Sequence, residues 1–191
     1  GGNDSTCVAS TTQATADAAF VPRMYFCAVT HAGKMWVYAG NDGAATNYND
    51  VWYSTDGATW TQATAAAAWS TRSQSGCTTY GGKIWIMGGS AVPNEAYYST
   101  DGITWTSVGT VTTSALNRGQ QPSVQTIGNK MYVYGGDHGA GGRDDDVWNS
   151  NLDSTTAAVG PTAYMMVKNN NQAWYLTGTT LTEISDADYP P

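Results

Sequence analysis

The chain has 191 residues and a formal net charge of −7, and only 12% of its residues are charged. Globular domains usually contain about 25% charged residues, so uncharged polar side chains must cover much of the surface, a composition typical of extracellular, cell-surface or virion-surface proteins. The acidic balance argues against a nucleic-acid partner, whose phosphates require a basic patch. No apolar run approaches the roughly 20 residues that insert into a membrane.

One block of sequence recurs along the chain and indicates the fold. It occupies residues 33–40, 82–89 and 129–136, and in each case a lysine precedes four apolar residues. The repeats are 49 and 47 residues apart and end in Gly-Gly or Ala-Gly. A repeat of about 40 to 50 residues with such a strand is typical of a β-propeller blade. We therefore predict an all-β propeller in a single domain, 1–191.

The repeats divide the chain into blades of four antiparallel strands. In chain order we predict a closing strand (1–19), repeat 1 (20–68), repeat 2 (69–113), repeat 3 (114–160) and a degenerate repeat 4 (161–191). The closing strand is expected to complete the C-terminal blade and to hide two sheet edges. This gives a four-bladed ring closed within one chain. The alternatives are a larger ring of two chains and strand exchange between chains in a polymer.

Glycine pairs, aromatic pairs and single tryptophans recur at matching places: Gly88-Gly89, Gly135-Gly136, Trp52-Tyr53, Tyr97-Tyr98, Trp60 and Trp105. Over nearly the whole chain this pattern resembles Kelch-type repeats, such as those in the central propeller of galactose-oxidase-like proteins and in sialate-epimerase-like proteins. The Ser-Thr-Asp-Gly-x-Thr-Trp turns at 54–60 and 99–105 are similar to a shortened Asp-box, the turn of sialidase propellers. The third repeat departs from this pattern at 151–154.

Three arginines precede the first predicted strands: Arg23, Arg72 and Arg118. Repeated positions encircle the axis of a propeller, so these side chains could converge and hold a carboxylate, as arginines do in sialidase-like sites. The alternative is that each arginine caps strand ends within its own blade. The remaining candidate binding residues are Tyr48, Tyr97 and His138. Exposed tyrosines stack on sugars and form interaction hot spots.

An Asp-rich loop at 137–146 is the candidate cation site. Carboxylate oxygens are the ligands that calcium prefers, and the candidate ligands are Asp137, Asp144 and Asp145. The alternative is a solvated loop. No other cofactor is predicted, since a copper oxidase needs more ligands than the two histidines of the chain supply.

The disulfide candidates are Cys7, Cys27 and Cys77. An odd number of cysteines in a secreted chain leaves one thiol free or paired between molecules. None belongs to a Cys-x-x-Cys motif, so the pattern does not favour a zinc or redox site.

The leading functional hypothesis is a non-enzymatic extracellular protein that works by binding or assembly, as a subunit of a surface structure or filament. Its partners would be further copies of itself or other surface proteins. The low charge, the odd cysteine and the lack of a coherent catalytic set favour this hypothesis. The alternatives are a lectin-like propeller that binds glycans and a sialidase-like or epimerase-like enzyme that uses the arginines.

Overall fold

A computed structural model describes residues 12–90, 95–110, 120–128, 130–137, 142, 147–151, 162–168, 172–177 and 180–184. Within these ranges the chain is all-β, and its strands form three antiparallel sheets. The predicted all-β class is therefore confirmed. This part of the chain contains no helix that is both long and apolar enough to cross a membrane.

The first two repeats each fold into a four-stranded sheet. The first sheet contains β1 (Cys27–His31), β2 (Lys34–Tyr38), β3 (Val51–Ser54) and β4 (Thr61–Thr64). The second sheet contains β5 (Gly76–Tyr80), β6 (Lys83–Met87), β7 (Glu95–Ser99) and β8 (Thr106–Thr110). Spatial order follows chain order in both sheets, so each connection joins neighbouring strands.

The hairpin between the first two strands of a sheet has the backbone that its turn residues predict. Ala32 and Gly33 have φ values of 50° and 71°, and Gly81 and Gly82 have values of 58° and 69°. Two consecutive residues with positive φ form a type I′ turn, whose twist matches that of the flanking strands. The turn fixes the register, in which His31 lies opposite Lys34.

The third sheet differs from the prediction of a separate fourth blade. Its six strands follow the chain order in space: β9 (Ser123–Ile127), β10 (Lys130–Tyr134), β11 (Val147–Asn151), β12 (Thr162–Lys168), β13 (Gln172–Thr177) and β14 (Thr180–Ile184). The described strands of segment 161–191 therefore extend the third sheet. The third repeat lacks the Asp-Gly turn that leads into β4 and β8, so the open edge of β11 pairs with β12 instead.

The N-terminal segment also differs from the prediction where it is described. Residues 12–19 contain no strand. They pass beside the first sheet, where a methyl group added at Gly57 would lie 3.6 Å from the Ala14 side chain. The rest of the predicted closing strand, residues 1–11, lies outside the described residues.

Two apolar clusters hold the sheets together. The cluster between the first and second sheets includes Tyr38, Trp69, Ile84 and Trp105. The cluster between the second and third sheets includes Tyr80, Met87, Val124 and Met131. The recurring block contributes to both clusters, because its strand is apolar on both faces and has a neighbouring strand on each side in every sheet. A sheet of this kind buries its apolar surface only when another sheet covers each face.

A chain of backbone hydrogen bonds also links the sheets. Tyr25, Gln74 and Gln121 have left-handed backbones, with φ values of 55°, 60° and 58°. The Gln74 N–H donates to the Tyr25 carbonyl at 3.0 Å, and the Gln121 N–H donates to the Gln74 carbonyl at 2.7 Å. This conformation costs a non-glycine residue roughly 1–2 kcal/mol. The same conformation recurs before the first strand of all three sheets, and at Gln74 and Gln121 it directs the N–H group at the preceding sheet.

Replacing Gly102 by Ala should destabilise the protein more than the same change at Gly57. The two glycines hold equivalent turn positions with φ values of 73° and 77°, so both variants carry the left-handed cost of roughly 1–2 kcal/mol. A methyl group on Gly102 would also overlap the Trp36 ring, whereas at Gly57 it meets Met35 at an ordinary 3.4 Å. Overpacking should therefore cost Gly102→Ala about 1–3 kcal/mol more. Urea denaturation measures this difference, and equal losses would contradict the packing of the second sheet on the first.

Candidate functional site

The side chain of Arg23 is fully buried and joins two strands of the first sheet. Its guanidinium donates to both carboxylate oxygens of Asp50, at 2.6 and 2.9 Å, and to the Ala39 carbonyl at 3.0 Å. Its Nε donates to the Val21 carbonyl at 3.1 Å. Since Ala39 follows β2 and Asp50 precedes β3, the arginine fastens the ends of neighbouring strands.

Arg72 makes the same arrangement in the second sheet. Its buried guanidinium donates to Glu95 at 2.6 Å and to the Gly88 carbonyl at 3.2 Å, and its Nε donates to the Ser70 carbonyl at 3.0 Å. Burial lowers the pKa of Arg72, and the ion pair with Glu95 opposes that effect. The geometry is that of the alternative interpretation, in which each arginine joins strands within its own sheet.

The structure therefore brings the candidate binding residues together in two separate pairs. The guanidinium of Arg23 lies 4.5 Å from the ring centre of Tyr48, and that of Arg72 lies 5.7 Å from Tyr97. Both tyrosines are half-buried. The cation–π contact with the tyrosine ring helps to hold each arginine side chain in place. Two further candidates lie outside the described residues: Arg118 and His138.

The acidic partners of the arginines are residues that the sequence analysis did not select. Asp50 directly precedes β3, and Glu95 is the first residue of β7. An acidic residue before each aromatic third strand is therefore a repeated feature of the sequence. This feature could have paired the acids with the arginines, because a buried guanidinium requires a carboxylate nearby.

The two Asp-box-like turns have matching hydrogen bonds. In the first turn the Asp56 carboxylate accepts from the Ala58 and Thr59 N–H groups at 2.8 Å, and the Ser54 hydroxyl accepts from the Gly57 N–H at 2.8 Å. The N–H groups of Thr59 and Ala58 lower the pKa of Asp56. In both turns the indole N–H of the last residue donates to the glycine carbonyl. Each turn therefore fixes the direction of a tryptophan, either Trp60 or Trp105.

Asp137 is the described member of the candidate cation site. Its backbone pairs with that of Gln120 through hydrogen bonds of 3.0 and 2.9 Å, and its side chain is half-buried. The described residues contain no group of three metal-ligating side chains. The other two proposed ligands, Asp144 and Asp145, lie outside the described residues, so the calcium site stays a prediction.

Two of the three cysteines meet at the junction of the first and second sheets. Cys27 and Cys77 are free thiols on β1 and β5, whereas Cys7 lies outside the described residues. Burial raises the pKa of Cys27, and a hydrogen bond with Cys77 adds to this effect. Burial also raises the pKa of the neighbouring Tyr38 hydroxyl, which donates to the Trp85 carbonyl at 2.9 Å. This polar cluster is part of the contact between the sheets.

A cavity of about 490 Å³ lies where the first strands of the three sheets approach one another. Its polar lining includes Thr30, Thr79 and Gln125, and its apolar lining includes Met35 and Trp60. It is therefore bounded by the first sheet on one side and by β9 of the third sheet on the other. The sequence alone does not reveal this space, because residues from three repeats line it and none of them stands out within its own repeat.

Comparison with known proteins gives a match in fold. No family model matches the chain, and no curated protein matches it. Among solved structures 140 chains match. One of them, described as the structure of YjhT, has a TM-score of 0.56 at 11% identity, over 71% of this chain and 44% of that chain. At this identity the match concerns the fold alone, and this chain spans less than half of the solved one.

Replacing Asp50 by Asn should lower the free energy of unfolding at pH 7 and make that free energy depend less on pH in acid. Burial raises the pKa of Asp50, but hydrogen bonds from Arg23 and Trp52 and the charge of Arg23 lower it overall. Its stabilising effect is therefore present above the unfolded pKa of about 3.9 and is lost as the pH falls through the lower folded pKa. We expect a loss of about 1.5–3 kcal/mol at pH 7.

Urea denaturation between pH 7 and pH 2 tests this expectation. The free energy of unfolding of the variant should fall less steeply below pH 4 than that of the unmodified protein. Replacing the exposed Asp17 by Asn is the control and should leave the urea midpoint at pH 7 unchanged. An Asp50→Asn variant with the full acid slope would contradict a role for this ion pair in the acid response.

Iodoacetamide should alkylate Cys27 much more slowly in the folded protein than in the urea-unfolded chain. The side chain has no exposed surface, and its raised pKa reduces the fraction of reactive thiolate. Peptide mass spectrometry after timed alkylation measures the rate at this residue. Equal rates in the folded and unfolded chains would contradict its burial between the sheets.

Proposed function

We propose that the protein is a Kelch-type β-propeller that acts, without catalysis, as a binding and assembly subunit of an extracellular surface structure. The observation that carries the proposal is the distribution of exposed apolar side chains. The first sheet and the segment leading into it expose five, which we call the first-sheet flank: Val21, Met24, Tyr25, Phe26 and Met35. The third sheet exposes three, which we call the third-sheet flank: Ile127, Tyr134 and Val147.

The second sheet, which has a neighbour on both sides, exposes far less apolar surface. Among the described residues Ile103 is its single large apolar side chain with high exposure, and this residue lies in a turn. Exposed apolar side chains on the two outer sheets favour an interaction role for these sheets. The low charge of the chain is consistent with a surface that associates rather than one that repels other copies.

The propeller part of the proposal rests on the repetition of the contacts between sheets. The strands β1, β5 and β9 hold equivalent positions, and a cavity lies between them. The left-handed residues before these strands form the same backbone bond at each junction. Successive sheets packed face to face around a common axis would produce this repetition.

The use of the arginines within the sheets favours a non-enzymatic role. Arg23 and Arg72 are each neutralised by an acidic residue of their own sheet, with side chains that have no exposed surface. A site that binds a substrate carboxylate needs guanidinium groups that face the ligand. Both of these groups face the scaffold instead.

Carbohydrate binding is the second candidate function, and the cavity favours it. Ligand pockets typically have volumes of about 300–1,000 Å³, and this cavity combines the aromatic ring of Trp60 with the polar groups of Thr30 and Gln125. Aromatic rings beside hydroxyl and amide groups suit a sugar. A glycan array with the purified chain tests this function, and binding of one glycan class by a monomer would favour it over assembly.

The assembly function predicts species heavier than the chain mass of 20.2 kDa. Their share should rise with protein concentration, since exposed apolar surface associates by mass action. Native mass spectrometry and sedimentation over a concentration series, with and without reductant, measure this. A monomer at every concentration in both conditions would overturn the proposed assembly function.

A further inference from the structure

We infer that two copies of this chain form one closed ring of six sheets, in which the third sheet of each copy packs against the first sheet of the other. The inference rests on the proposed function and names its partner as a second copy of the chain. Its basis is that the two exposed flanks are the two halves of a junction that the chain already makes twice within itself.

The third-sheet flank corresponds to positions that the other sheets bury against their following neighbour. Tyr134 closes the recurring block of the third sheet, as Tyr38 closes that of the first, and Tyr38 is fully buried against the second sheet. Val147 lies opposite Tyr134 as Val51 lies opposite Tyr38. Val51 has no exposed surface, but Val147 is 62% exposed. The third sheet is therefore built to receive a following sheet.

Met35 of the first-sheet flank holds a position that the other sheets bury against their preceding neighbour. Met35 follows the block lysine, as Ile84 does in the second sheet and Met131 in the third. Ile84 and Met131 belong to the two clusters between sheets, but Met35 is 38% exposed. Trp60 is the half-buried equivalent of Trp105, which lies within the first cluster. The first sheet is therefore built to follow another sheet.

The contacts inside the chain show how the two flanks would fit. Trp105 packs against Tyr38 with ring centres 5.5 Å apart, so Trp60 of the second copy would pack against Tyr134. The series of backbone bonds from Gln121 to Gln74 to Tyr25 would continue in the same direction. The Tyr25 N–H of the second copy would donate to the Gln121 carbonyl.

The cavity is continuous with this proposed junction. Met35 and Trp60 line it on the side of the first sheet, and Val124 and Gln125 line it on the side of the third. The cavity therefore reaches from Met35 of the first-sheet flank to β9, the strand that carries Ile127 of the third-sheet flank. Closing the ring would enclose it as part of a central channel.

The number of sheets selects two copies. Propeller rings contain roughly four to eight blades, and the described residues of one copy form three sheets. One set of these three described sheets is too small for such a ring and three sets are too large, so a ring built from repeats of this set contains six sheets. Contacts between unlike surfaces produce a closed ring when the rotation between copies returns to its start, and an open fibre when it does not.

Two single variants and a control test the pairing of unlike flanks. Met35→Asp alters the first-sheet flank and Tyr134→Asp alters the third-sheet flank, and each should raise the dissociation constant of a species of twice the chain mass by about 30-fold or more. Ile103→Asp, at the exposed turn of the second sheet, should leave it unchanged. An equimolar mixture of the first two variants should regain part of the affinity, because one junction of the mixed dimer is unmodified.

A flank variant that misfolds would weaken dimers for the wrong reason, so a cross-link provides an independent measurement. The double variant Tyr25→Cys with Gln121→Cys places one thiol on each side of the proposed junction, at exposed positions. Mild oxidation should give a single covalent dimer on a non-reducing gel, while the unmodified chain and the two single variants should not give this closed dimer.

The outcomes separate this inference from the proposed function. A covalent dimer together with loss of association in both flank variants supports the six-sheet ring. A ladder of longer covalent products would overturn ring closure, and association that only one flank variant weakens would overturn the pairing of unlike flanks. Association that persists in both flank variants would overturn this inference but leave the assembly function intact. A chain that stays monomeric at every concentration would overturn both.

Discussion

The packing of one sheet on the next is the constraint on which the rest of this structure depends. The second strand of each sheet is apolar on both faces, so a lone sheet would leave both apolar faces in water. At the first junction Tyr38, Trp69 and Trp105 meet ring against ring. Full burial of such a side chain stabilises by about 1.5–3 kcal/mol. The junction therefore provides stability that no single sheet has.

The same constraint explains why the outer sheets differ from the middle one. The first and third sheets carry side chains suited to a junction, but within the described residues each has one neighbouring sheet. Their flanks are therefore exposed although their positions match buried ones. The proposed assembly function follows from the exposed apolar side chains of the two flanks. Such side chains favour a partner that removes them from water.

In the first and second sheets a buried arginine is neutralised by a carboxylate of the same sheet. Arg23 and Arg72 are desolvated, which is tolerated because each meets a carboxylate and backbone carbonyls at hydrogen-bonding distance. The two arginines share one structural role: in the first and second sheets they join the ends of the second and third strands. Arg23 and Arg72, which repeat in this protein, thus serve the scaffold, and the proposed interaction surfaces are those that differ between sheets.

Local sequence determined the strands, the turns and the all-β class. The recurring block predicted β2, β6 and β10 because a short apolar run after a Gly-containing turn has few other stable structures, and the Ser-Thr-Asp-Gly pattern predicted the two tight turns because Asp56 and Asp101 bond to the backbone a few residues onward. These interactions span few residues, so they can be read without knowledge of the fold. Only the tertiary structure decided that the C-terminal strands join the third sheet and which flanks stay exposed. Each of those outcomes depends on which distant segment pairs with an open strand edge or covers a sheet face. Such pairing is a property of the packed chain rather than of any one repeat.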